Sequence, residues 1–431
     1  MTGACGDKQA VILSGGGANG AYEVGVMKAL FGALCPATHG QPLDPDIFAG
    51  TSVGSFNAAF LVSKWESYTK AATSGPLALA DLENVWLNDI SENKQTGSNG
   101  AYRLLASPLQ FLNPKVVLSS PVQTFTRLTM DSLALFRDFT YRTLYIVSSQ
   151  EEPLQERLLH LVNIDNFFSR EPFRRVLDDV IEFDSIRSSG KVLRVAATGW
   201  EIGRVETFSN RDFTDRRGPQ IILASSAIPG FFSAQPVGSS PFVDGSVLLN
   251  TPLRLGKFEE DGTEKWADTL HVIYLDPDVN AIPISHLSNL LSVQYRVQVI
   301  NWAAKVNDDI EDARTVNEGV ELWNRVEQSA PKSTQSVLEG MSGILPDPKE
   351  YKPLTVHRYH PSDPLGGPLG LLDFGRERIQ SLIDQGFNDA IYHDCDESDC
   401  VIPGKRRKIP KGCRAFLRRT QMTAERQRDV D

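Results

Sequence analysis

Asp46-Ile47-Phe48-Ala49-Gly50-Thr51-Ser52-Val53-Gly54-Ser55-Phe56 sets a serine between two glycines directly after a short apolar run. Ile47 to Ala49 has the composition of a buried strand, and Ser55 to Val62 the pattern of a helix. A G-x-S-x-G pentapeptide in that setting has the form of a nucleophile elbow. Its flanking glycines, Gly50 and Gly54, permit a strained strand-to-helix turn that lifts the Ser52 hydroxyl above the sheet. Such pentapeptides also arise by chance in loops, so the reading rests on what surrounds it.

About one βα unit upstream, Gly15-Gly16-Gly17-Ala18-Asn19-Gly20 follows the apolar run Ala10 to Leu13 and opens a helix near Ala21. Unpaired backbone N–H groups at such a helix mouth stabilise the oxyanion formed when a serine attacks a carbonyl, aided by the positive end of the helix dipole. The two glycine-rich turns together specify an acyl-transfer site. Gly15, Gly17 and Gly20 also satisfy G-x-G-x-x-G, the dinucleotide-binding turn, which requires an acidic residue at the end of the next strand. Asp44 and Asp46 precede that strand, and its end is taken by the Ser52 turn. The cofactor reading fails there.

Far downstream, Phe242-Val243-Asp244-Gly245-Ser246 puts a carboxylate at the end of a short apolar run, aimed into the same crevice as Ser52 if that run is a strand. A plain D-G turn is the alternative. None of the seven histidines is singled out as a base. His271 lies in the apolar run Leu270 to Leu275, where a core imidazole is expected. His357, His360 and His393 lie in polar, loop-like or helix-terminal sequence, where a solvated surface role is expected. His393, Cys395 and Cys400, with Asp394, Asp396, Glu397 and Asp399, form a ligand-rich stretch whose spacing matches no standard zinc pattern; it reads as a solvated acidic loop, with no metal.

These ordered blocks resemble the patatin-like lipid acyl hydrolases. The resemblance includes Val195-Ala196-Ala197-Thr198-Gly199-Trp200-Glu201, Ala224-Ser225-Ser226-Ala227-Ile228-Pro229-Gly230-Phe231-Phe232 and Val247 to Pro252, and it spans about Gln9 to Pro277. A weaker echo runs from Leu371-Leu372-Asp373-Phe374-Gly375-Arg376 to Ala390. The resemblance implies a three-layer α/β sandwich with a central, mostly parallel sheet. It implies a Ser52–Asp244 dyad, an oxyanion hole at Gly15, Gly16 and Gly17, and lipid ester substrates, with neither metal nor organic cofactor. Two positions depart from the family pattern: Asn19 stands where a basic residue is usual, and Ser246 where Gly or Ala follows the Asp-Gly pair. In a dyad Asp244 is the general base, and Phe231, Phe232, Phe242 and Val243 are expected to supply an apolar setting that raises its proton affinity. An acyltransferase using the same site is the nearest alternative; a nucleotide-binding or non-catalytic interaction protein is the distant one.

The chain has 431 residues, 41% of them hydrophobic, and a net charge of −10, which suits a soluble enzyme and gives no reason to expect nucleic-acid binding. Five cysteines form no regular framework, which favours a reducing, cytoplasmic setting. The first residues carry no apolar signal segment, and no run of eighteen apolar residues is present. The catalytic unit is expected over 9–277, with a lid-like insertion at about 66–139. That insertion holds a short amphipathic helix at Leu79 to Leu87 and Pro-punctuated apolar pieces from Leu104 to Leu118. A helical part over 278–393 is expected to contain two packed helices between Ile284 and Gln328, a Pro- and Gly-rich loop at 344–370 and a last helix at 373–393. From Gly404 onward ten Lys or Arg meet three acidic residues, so the tail carries +7 and the rest −17. This tail reads as a disordered, solvated extension; attraction to anionic lipid at a membrane surface is the second reading.

Overall fold

The computed structural model describes residues 7–68, 74–93, 98–104, 168–229, 231–260, 262–275, 290–329 and 352–405. Strands β1 (Gln9–Leu13) and β2 (Ile47–Thr51) are buried on both faces, as continuous apolar runs must be inside a parallel sheet. Each feeds a helix, α1 (Gly20–Phe31) and α2 (Val53–Trp65). Next come α3 (Ser74–Val85) and the two-residue strands β3 (Arg103–Leu104) and β4 (Phe168–Ser169). They are followed by α4 (Glu171–Val180) and α5 (Phe183–Ser188). The chain then returns to the sheet through β5 (Val192–Gly199) and β6 (Arg204–Ser209), and packs α6 (Gly218–Ser225) against it. β7 (Gln235–Val237), β8 (Ser240–Asp244), the hairpin β9 (Lys257–Glu260) and β10 (Thr263–Trp266), and β11 (Thr269–Ile273) follow. The last elements are α7 (Leu290–Ser329), β12 (Thr355–Tyr359) and α8 (Arg376–Ile391).

The central sheet has the order β12-β11-β1-β2-β5-β8-β7, with β6 also paired to β5. The pairs from β12 through β5 are parallel, and β6, β7 and β8 join antiparallel. Alternate residues of the strands feed two cores. Val11, Leu13 and Phe48 pack with α1, α2 and α8, while Ala10, Ile12 and Ile47 pack with Val306 and Ile310 of α7. These are the three layers expected from the sequence. The contact of α8 with α1 is close: a Cβ on Gly25 would meet the Ile383 carbonyl oxygen at 2.0 Å, and one on Gly386 the Tyr22 oxygen at 2.1 Å.

Strand β5 has two partners on one edge. Its first residues pair with β2, ending at Thr51↔Ala196, and its last with β8, starting at Ala197↔Asp244. Because β6 spans Arg194 to Gly199 on the opposite edge, β2 and β8 run toward each other along the same side and meet end to end. The residue after β2 is Ser52, and the last residue of β8 is Asp244.

The C-terminal part differs from expectation in three ways. The described part of the stretch expected to hold two helices does not divide: α7 runs unbroken through Leu290–Ser329. Polar residues within its span, such as Asn307 and Asp308, face outward, and the mostly covered Asp309 is held by Arg254 at 2.7 Å. Of the apolar residues spaced as one core-facing stripe in the sequence, Val306, Ile310, Val320 and Trp323 are buried but Val297 and Ile300 are exposed. The loop at 344–370 contains β12, which extends the sheet beyond β11, so this part is not helical alone. The short helix of the insertion begins earlier than expected, as α3, and continues through a π-helical turn at Trp86–Ile90. Its Leu104 to Leu118 pieces lie outside the described residues beyond position 104.

Candidate active site

Ser52 occupies the turn between β2 and α2 with φ 55° and ψ −125°, a backbone region that ordinary residues avoid. The glycines on either side make the turn feasible. A Cβ on Gly50 would lie 2.2 Å from the Gly54 carbonyl oxygen, and one on Gly54 would lie 2.6 Å from the Leu13 oxygen. Ser52 also stands at the N-terminus of α2, where the orphan N–H groups and the dipole favour negative charge.

The Ser52 hydroxyl donates to Asp244 Oδ2 at 2.7 Å. The other carboxylate oxygen accepts the Ser246 N–H at 2.8 Å, and Asp244's own N–H is held by Ala227 O at 2.9 Å. Asp244 is fully buried, and burial pushes its carboxyl up to about 6. Its hydrogen bonds from Ser52 and Ser246, and the charge of Arg170, oppose that rise. Of the aromatic residues expected to dry this carboxylate, Phe232 lines the cleft with Ser52, Phe231 and Phe232 both pack on Phe168, and Phe242 turns to Phe208 of β6.

The glycine-rich loop passes close to Ser52: a Cβ added to Gly15 would lie 3.1 Å from the Ser52 Cβ. Three donors were expected from Gly15, Gly16 and Gly17, but the Gly15 N–H is engaged by Asn250 O at 3.1 Å. Beyond them, Ala18 donates to Leu371 O at 2.9 Å, and Asn19 donates its N–H to Gly16 O at 3.1 Å. The N–H groups of Gly16 and Gly17 have no acceptor among the described residues. Asn19 is buried, its side-chain oxygen without a hydrogen-bond partner among the described residues, and Gly20 begins α1. Gly245 packs on the Ala196 carbonyl, and Ser246 O accepts from Trp302 Nε1 of α7 at 2.6 Å.

The Ser52 hydroxyl is not lifted into open solvent. The residue is 3% exposed and lies at the floor of an apolar cleft walled by Phe56, Trp86, Tyr102, Phe173, Phe232 and Leu371. Two polar contributors were missed in the sequence. Ser225, at the end of α6, accepts the Ser52 N–H at 2.9 Å and donates to Ala196 O at 2.7 Å, so it fixes the strained backbone from below. Arg170 enters the same cleft from the turn before α4. It lies over the Phe232 ring and bonds Ser233 O and Gln235 Oε1, and burial lowers its guanidinium to about 10. Ser225 sat inside a recognised block, whereas nothing in the sequence near Arg170 marked it.

A profile of the family described as Patatin-like phospholipase matches residues 11–256, more than half of the chain. The chain belongs to that family. A patatin-like phospholipase is a lipid acyl hydrolase, and the matched span holds Ser52, Asp244 and the glycine-rich loop. Among solved structures, VipD from Legionella pneumophila is similar at 14% identity, over 88% of this chain and 67% of its own, with a TM-score of 0.28. No curated protein sequence matches. In this patatin-like chain Asp44 and Asp46 pair with Lys191 and Lys8 at the entry to β2, the opposite end from Ser52.

The described histidines that the sequence raised as candidate bases stand apart from the cleft. His271 is buried in β11, bonded to Tyr359 Oη at 2.9 Å. His357 and His393, expected at the surface, are buried as well. The stretch expected to be a solvated acidic loop folds back on β12. It brings Cys395 and Cys400 to these two imidazoles, and the donor atoms of all four lie within 4.8 Å of one another.

Proposed function

We propose that this protein hydrolyses fatty-acyl esters of phospholipids or lysophospholipids with Ser52 as nucleophile and Asp244 as its only general base. The observation that carries this reading is the 2.7 Å hydrogen bond from Ser52 Oγ to a buried carboxylate at the floor of an apolar cleft. As Ser52 Oγ bonds to the acyl carbon, its proton passes to Asp244 Oδ2, and the carbonyl oxygen becomes an oxyanion facing the Gly16 and Gly17 N–H groups. Asp244 returns the proton to the departing alcohol, leaving an acyl-serine. A water then gives its proton to Asp244 and attacks the acyl carbon, releasing the fatty acid and restoring both residues.

A carboxyl held near 6 is a better base at neutral pH than an ordinary aspartate, while still ionised there. The apolar wall suits an acyl chain, and Arg170 supplies the positive charge that Asn19 does not, suited to a lipid phosphate. The substrate lies at a membrane surface, which the enzyme reaches as a peripheral, cytoplasmic protein. Among the described residues no helix is long and apolar enough to cross a membrane. The test is labelling with a fluorophosphonate, mapped by peptide mass, followed by a panel of phospholipids, lysophospholipids and neutral glycerides. Adduct on Ser52 and fatty-acid release from the phosphorus-containing lipids are expected. Labelling elsewhere, or absence of fatty-acid release from every lipid, rejects the reading.

A further inference from the structure

The second chemical cluster of the molecule lies at the sheet edge, three strands away from β2 and Ser52. His357 sits on the edge strand β12, and His393 just past the end of α8. Cys395 and Cys400 follow in the turn that leads back to β12, where Val401 and Val356 exchange two backbone hydrogen bonds of 2.8 and 2.9 Å. Cys395 Sγ is 3.5 Å from His357 Nδ1 and 3.4 Å from His393 Nε2, and Cys400 Sγ is 3.5 Å from the same His393 nitrogen.

From these four donors we infer a structural zinc site of the Cys2His2 type, formed by His357, His393, Cys395 and Cys400. Zinc bound tetrahedrally at its usual bond lengths to sulfur and imidazole nitrogen places neighbouring donor atoms about 3.3–3.8 Å apart. The three sulfur–nitrogen distances fall inside that range. Hydrogen bonding alone accounts for them less well, because the single lone pair of His393 Nε2 accepts one proton while two sulfurs converge on it. Both cysteines are free thiols.

The surroundings complete the site as metal ligands require. Ser398 Oγ lies 3.3 Å from His393 Nδ1, where it is placed to accept the Nδ1–H of the tautomer whose Nε2 is free to bind the ion. The Arg358 N–H donates to Cys400 Sγ at 3.3 Å, a bond that favours a thiolate. Asp399, whose φ is 54°, is clamped by Arg314 of α7 at 2.9 Å and by Arg358 at 3.6 Å, so the turn is held from two layers. Two thiolates balance the two positive charges of the ion, and a neutral closed site is compatible with burial. Soft sulfur ligands exclude calcium and magnesium, and four protein donors leave no open position for substrate. The ion therefore fastens the end of α8 and the closing turn onto the edge strand of the sheet, a point where fraying would uncover a strand edge. The sequence hid this because His357 lies 38 residues from Cys395.

The experiment is elemental analysis of the full-length, untagged protein prepared under reducing conditions, followed by cobalt titration of the zinc-stripped protein. About one zinc per chain is expected, together with the absorption bands of tetrahedral cobalt and thiolate-to-cobalt charge transfer. Ser398→Ala removes only the hydroxyl beside His393, and should fold while weakening cobalt affinity about 10–100-fold. Chelation should lower Tm while leaving initial rates on a soluble short-chain ester unchanged below the transition. Retention of less than about a tenth of a metal ion per chain with no cobalt charge-transfer band overturns the site. So does a Cys395–Cys400 disulfide whose reduction creates no metal affinity. Loss of turnover on chelation with Tm unchanged overturns the structural role.

Discussion

Thr51 and Asp244 occupy adjacent rungs on one edge of β5, opposite Ala196 and Ala197, although they are nearly two hundred positions apart in the chain. That pairing, more than any loop contact, brings Ser52 to Asp244. The strand ends meet head to head, so the serine leaving β2 and the aspartate ending β8 share one crevice above β5. Geometry set by backbone ladders is rigid, which is what a two-residue site needs to keep a proton-transfer distance.

Ser52→Ala should abolish ester hydrolysis, lowering kcat by about 10³-fold or more. Among the described residues the buried hydroxyl has one hydrogen-bond partner, Asp244, which keeps its bond from the Ser246 N–H, so stability should change little. Steady-state kinetics and a melting curve on the same preparation check both parts. Retention of a tenth of wild-type turnover removes Ser52 from the nucleophile role.

Asp244→Asn keeps the shape and its hydrogen-bonding reach but accepts no proton. Activity should fall nearly as far as in Ser52→Ala, and the double variant should be scarcely worse than either. Stability should move the other way. With the folded carboxyl raised from 3.8 to about 6, the stability it contributes is complete below 3.8 and lost as pH rises through about 6. Above pH 6 the wild type holds a buried charge that the variant lacks, a difference of about 2–3 kcal/mol at most. Denaturant titrations at pH 4 and pH 8 should show the variant gaining relative to wild type only at the higher pH.

The acid limb of kcat/KM on a neutral short-chain ester should have its midpoint near 6, where Asp244 ionises. The charge of Arg170 lowers that carboxyl, so Arg170→Gln should move the limb to higher pH. The same change should raise KM for phospholipids several-fold more than for the neutral ester. A pH–rate profile unaltered by Arg170→Gln would show that the guanidinium acts only in packing.

Ser225→Ala deletes the acceptor of the Ser52 N–H and leaves a buried donor unpaired, a loss of about 1–3 kcal/mol in stability. Turnover should drop about 10–100-fold with KM nearly unchanged, since the strained turn loses its support and not its substrate contacts. Ser225→Thr, which keeps the hydroxyl, should restore most of it. Equal loss in both variants would point to crowding in place of positioning.

The βα units at the start of the chain were legible because Ala10 to Leu13 and Ile47 to Ala49 are apolar on both faces and each ends in a glycine-rich turn. Asp244 was legible because its apolar run ends in a carboxylate. What escaped depended on residues distant in sequence. Arg170 acquires meaning only where α4 meets the cleft, and His357 only where β12 extends the sheet. The continuous α7 was read as two helices because polar residues interrupt its apolar spacing, whereas on one helix residues such as Asn307 and Asp308 form an exposed face and Asp309 turns to Arg254. Gly15 was counted among three oxyanion donors, yet its N–H is taken by Asn250, a partner no local pattern reveals.

The basic tail offers the final expectation. Residues from 404 carry +7 against −17 elsewhere, and each basic group near an anionic bilayer gains about 1 kcal/mol. If the tail delivers the enzyme to membranes, removing residues 406–431 should weaken binding to anionic vesicles and slow hydrolysis there, with a soluble ester cleaved as before. Residues up to 405 stay because Lys405 pairs with Asp396 beside the cysteine–histidine cluster, and cutting into that pair would confound recruitment with edge stability. Raising salt should mimic the deletion in the intact protein, because surface attraction is screened over about 8 Å at physiological ionic strength. Neutral vesicles should show neither effect. Equal cleavage of anionic vesicles by full-length and shortened enzyme at low salt would exclude recruitment and leave the tail as a solvated extension.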